Sequence, residues 1–93
     1  MIAHFCYART PPPNCVSVEL ISGRGEALGL VNLPAEAFRQ MEGLGPAAAR
    51  SGDAMSLPFA LSYAVLAASI SDCPLSIVGE RALWPSSWGT LID

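Results

Sequence analysis

The 93-residue chain contains no lysine. That absence removes Schiff-base chemistry and the phosphate-gripping lysine of nucleotide-binding loops. The remaining positive charge is five arginines, Arg9, Arg24, Arg39, Arg50 and Arg81, spaced singly along the chain. No basic cluster and no basic–aromatic stretch marks a nucleic-acid surface, and the net charge is −3. Charged residues of both signs reach only 14%, against about 25% in an average domain. Lysine missing beside fourteen alanines also fits GC-rich coding and leans towards a bacterial source.

Histidine occurs once, at His4. Cysteine occurs three times, at Cys6, Cys15 and Cys73, with no C-x-x-C pair. An odd count leaves one thiol over in any disulfide framework. The opening "MIAHFCYART" has neither the basic region nor the long apolar stretch of a signal peptide. Free thiols in a reducing, cytoplasmic compartment are therefore expected. Long hydrophobic runs are also missing. The longest, "LPFALSYAVLAASI" over 57–70, would rise about 21 Å as a helix, short of a hydrocarbon core of about 30 Å. Neither a membrane nor a nucleic-acid partner is expected.

Recognisable site motifs are absent as well. "GRGEALG" (23–29) approaches a dinucleotide fingerprint, but that motif needs a helix straight after its glycines. Here "ALGLVNLP" follows, so a hairpin turn explains the glycines better. The serines of "LWPSSWG" lie in no nucleophile elbow. Asp53, Asp72, Glu80 and Asp93 have no calcium-loop spacing. Ser62 and Tyr63 fall inside the apolar run, where they need hydrogen-bond partners before they need a catalytic role. No catalytic residue, cofactor or metal is assigned.

What the chain does have is apolar bulk, 52% of its residues. A domain this small has a modest interior. The surplus should lie on the surface and mark a partner, most simply a second copy of the chain.

Periodicity predicts strands over 2–8, 15–22, 27–33 and 75–79. The stretch 15–33 reads as a hairpin about "GRGE", and "RTPPPN" (9–14) as a stiff connector. Pro34 opens a short helix that Gly43 and Gly45 stop. "PAAARSGD" (46–53) reads as one helical turn and a loop. A second helix covers 57–71, with Ser56 as N-cap and Asp72 and Pro74 at its end. It is apolar on nearly every side, so it should be covered twice, by the sheet and by something else. Residues 80–93 read as irregular. The order β-β-β-α-α-β predicts a single α+β domain over 1–93, an antiparallel sheet with the apolar helix on one face.

If strands 2–8 and 15–22 are neighbours, one face carries Phe5, Tyr7, Val16, Val18 and Leu20. The other carries His4, Cys6, Cys15, Ser17 and Glu19. His4, Cys6, Cys15 and Glu19 are then the nearest approach to a metal or ligand site, or to an activated thiolate. A plain polar strand face is the competing and favoured reading. Opposite Glu19 and Ile21 the third strand would show Leu30 and Leu28, so this face is mixed, as partner surfaces are.

The chain's two tryptophans, Trp84 and Trp88, flank Pro85 in "ALWPSSWGTLID". A turn at Pro85 would send both indoles inward as a clamp on the core; a partner-facing patch is the alternative. The expected function is a small non-enzymatic interaction or regulatory domain, acting as a homodimer. The alternative is a small-molecule or metal-binding protein, possibly thiol-redox, using the His4/Cys6/Cys15/Glu19 face.

Overall fold

A computed structural model describes residues 4–43 and 53–92. These form a six-stranded mixed sheet with helices, an α+β architecture. The elements are β1 (His4–Tyr7), β2 (Val16–Ser22), β3 (Ala27–Asn32), α1 (Ala35–Gln40), β4 (Met55–Ser56), α2 (Leu57–Ser71), β5 (Leu75–Gly79) and β6 (Thr90–Ile92). Two 3-10 turns, Arg81–Leu83 and Ser86–Trp88, separate β5 from β6. The turn expected within 46–53 lies almost wholly outside the described residues.

The strand order is β4-β3-β2-β5-β1-β6. The β2–β3 hairpin is antiparallel, with Val18 opposite Val31, and β3–β4 is antiparallel too. The expectation of an antiparallel sheet fails on the other side. There β5 runs parallel to both β2 and β1, and β6 runs parallel to β1. β1 and β2 are therefore not neighbours, because β5 lies between them. The physical reason is in the connector. Three successive prolines cannot make a tight hairpin, but extended chain gains about 3.1 Å per residue. Residues 8–15 can thus carry the chain back to the start of the sheet. Connections between parallel strands are right-handed in nearly all proteins. By that rule the β1–β2 connection, which runs along the sheet opposite to the β4–α2–β5 crossover, takes the face opposite α2. Ser17 and Ser76 are buried on that face, at 1% and 7% exposure, in keeping with such cover.

The element order also differs from expectation. The two-residue β4 precedes α2, and the stretch read as irregular contains two turns and an edge strand. Ser56 does occupy the N-cap position of α2, but its side chain makes no capping hydrogen bond, and it ends β4 instead.

The core lies between α2 and one sheet face. Val16, Val18, Leu20, Val31 and Ile77 supply the sheet side; Leu57, Ala60, Leu61, Ala64 and Ala67 supply the helix side. Three of these five helix residues are alanine, so the helix backbone sits close to the sheet. Gly29 marks the closest approach: a Cβ there would stand 2.6 Å from the Ala60 Cβ. Phe5, Val16, Val18 and Leu20 are buried together, and Tyr7 packs against them. The face assignment survives the inserted strand because β5 keeps its parity, with Tyr7, Ile77 and Val18 level across the three strands.

Candidate interaction surface

None of the fifteen residues of α2 carries a charge. Its buried residues face the sheet, and the described residues leave the opposite side open. At about 100° per residue, Phe59, Leu66 and Ile70 fall within about 20° of one line along the helix. They are 54%, 49% and 43% exposed. Ser62 and Ser69, both exposed, lie to one side of that line, about 60° and 80° round the helix. On α1, which packs beside α2, Phe38 is 44% exposed, next to an ion pair between Arg39 and Glu36 at 2.7 Å. The expected second cover over the helix is thus missing among the described residues, and an uncharged apolar stripe stands in its place.

The opposite sheet face is mixed. Cys6, Ser76 and Ser17 lie level across β1, β5 and β2. Glu19 is level with Val78 and Leu30, and Ile21 with Leu28. The buried Ser17 Oγ has no hydrogen-bond partner among the described residues. His4 and Cys6 on β1 are parted from Cys15 and Glu19 by the whole of β5. From Cys6 to Glu19 the path crosses two interstrand spacings of about 4.8 Å and two residue rises of about 3.3 Å. That is about 12 Å between backbones, beyond what one metal bridges with bonds of about 2.0–2.3 Å. No group of three or more His, Cys, Asp or Glu placed to hold a metal occurs among the described residues. The three cysteines are free thiols, with Cys6 exposed and Cys15 and Cys73 half-buried. The adjacency assumed for these residues fails for the same reason as the antiparallel sheet.

Trp84 and Trp88 both pack on Phe5. Their rings stand edge-on to it, with centroids 5.0 Å and 6.4 Å away. Trp84 Nε1 donates to the Gly89 carbonyl at 3.0 Å, so the indole's polar atom is satisfied while its rings lie against the core. Arg81 secures the same stretch: its Nη2 donates to the Leu91 carbonyl at 3.0 Å, and its guanidinium stands 5.6 Å from the Tyr7 ring centre. Both indoles are half-buried.

A shallow cleft of about 290 Å³ opens between Trp88 and the start of α2, with Leu57, Pro58, Leu83 and Pro85 among its walls and Glu26 at its edge. That is small for a ligand pocket. No helix among the described residues is long and apolar enough to cross a membrane.

Sequence reading missed the particular residues of the α2 stripe. The signal was available as the spacing 59, 66, 70. A helix without charge, however, offers no polar face to tell the outward side from the inward one. Compared with known proteins, the chain matches no family model, no curated protein and no solved structure.

Proposed function

We propose that this chain is a small, non-enzymatic interaction domain that works as a cytoplasmic homodimer through the open side of α2. The observation that carries the reading is the stripe of Phe59, Leu66 and Ile70, each at least 43% exposed on a helix with no charge. An exposed apolar patch costs solubility unless a partner covers it, and hydrophobic contact is the main source of association energy. A second copy is the partner favoured by charge. The chain carries a net −3, so most self-contacts bring like charges together, whereas α2 brings none. Three free thiols agree with a reducing compartment.

The test is the mass in solution. Light scattering at high micromolar concentration should give twice the 9.7 kDa of one chain. Leu66→Glu should give the single-chain mass and still melt cooperatively, at a midpoint lowered only by the lost association, since Leu66 is 49% exposed and outside the core. A wild-type monomer at that concentration would sink the reading.

A further inference from the structure

The open stripe of α2 also restricts how two copies can meet. Resting on the homodimer reading above, we propose that the two α2 helices pack antiparallel about a two-fold axis near the middle of the helix, with Phe59 of each copy against Ile70 of the other.

Three features point to this arrangement. The first is the position of the large side chains. Phe59 and Ile70 mark the two ends of the stripe, eleven residues or about 16 Å apart. Reversing one helix about the midpoint superposes these ends. Each Leu66 then lies over its partner's step at Ser62 and Tyr63, where the serine is small and the tyrosine is buried in its own core. A parallel pairing would instead set Phe59 on Phe59 and Ser62 on Ser62, bulk on bulk and gap on gap. The second is the helix dipole. Antiparallel neighbours place the positive end of one α2 beside the negative end of the other, and α2 has no charged side chain in its first or last turn to offset the parallel alternative. The third is area. A standard interface takes about 800 Å² from each partner. α2 is about 22 Å long, and α1 at its side widens the helix layer to about 20 Å. The flat projection of that layer is at most about 440 Å², which with the relief of the side chains, including Phe38, reaches the small end of specific interfaces, about 600 Å² from each partner. The Glu36–Arg39 pair then lies at the rim, where charge is tolerated.

Charge complementation tests the pairing. Phe59→Glu and Ile70→Arg are made separately; both sites are exposed, and circular dichroism and thermal melting check that each variant folds. Each alone should have the single-chain mass, because each sets an unpaired charge against an apolar side chain of its partner. Mixed one to one they should recover the double mass, with the introduced carboxylate of one copy beside the introduced guanidinium of the other. The reciprocal pair, Phe59→Arg with Ile70→Glu, should behave in the same way and guards against one variant misfolding. Recovery by a Phe59→Glu and Phe59→Arg mixture instead, or no recovery with wild type dimeric, overturns the antiparallel register. A monomeric wild type overturns the homodimer reading itself, and this one with it.

Discussion

Val18 sits at the centre of the sheet with no exposed surface, facing α2. Val18→Asp would bury a carboxylate among the apolar side chains of the core, and should cost about 3–5 kcal/mol. Urea unfolding should show either a large fall in midpoint or no cooperative transition; an unchanged midpoint would contradict the face assignment. Gly29 makes a finer test, because its constraint is space. A methyl there meets the Ala60 Cβ at 2.6 Å, with Leu57 Cδ1 and Val18 Cγ1 at 3.2 Å. Gly29→Ala should cost about 1–3 kcal/mol by pushing α2 off the sheet. Gly79 is constrained differently. Its φ is +93°, and an added Cβ would come 2.6 Å from the Leu20 carbonyl, which is backbone and cannot swing aside. Alternation places Gly29 inside the strand expected over 27–33, but nothing local shows that a helix presses on it there. That contact depends on a partner thirty-one positions away.

At the scale of elements, the legible parts were those fixed by local pattern. β2, β3, α2 and β5 were readable within a residue or two, since alternation and turn chemistry are local signals. The parts that escaped are short and depend on tertiary contact: β4 has two residues, β6 has three, and both are edge strands defined only by the strand they join. The stretch from Arg81 to Ile92 illustrates the point. Nothing periodic marks it, yet it wraps Trp84 and Trp88 onto Phe5 and ends by pairing Phe5 with Leu91. Trp84→Ala should therefore remove an indole from a core edge and break its bond to Gly89, costing about 2–3 kcal/mol for a half-buried site. Removing residues 82–93 takes away both indoles, the β6 pairing and the acceptor for Arg81. That truncation should fail to give a cooperative melt, and a truncated protein that melts as wild type would reduce the segment to an appendage.

At the scale of the whole molecule, what could not be read was strand order. Period-2 alternation assigns residues to faces but carries no information about which strand lies beside which. That is why Phe5, Tyr7, Val16 and Val18 could be grouped correctly while His4, Cys6, Cys15 and Glu19 were grouped too closely: a face is a plane, and β5 can be inserted into it without moving any residue off it. The same planar logic governs how the molecule should respond to salt. Two copies with a net −3 each repel at long range, and screening shortens that repulsion from about 30 Å at 0.01 M salt to about 3 Å at 1 M. The proposed contact on α2 offers no ion pair for salt to weaken. Self-association should therefore tighten as sodium chloride rises through that range, by several-fold in the dimer dissociation constant measured by sedimentation equilibrium. An interface built on opposite charges, such as Arg24 or Arg81 of one copy against the acidic residues of the other, would loosen over the same range. Loosening would place the contact away from the uncharged helix, even if the protein proved dimeric.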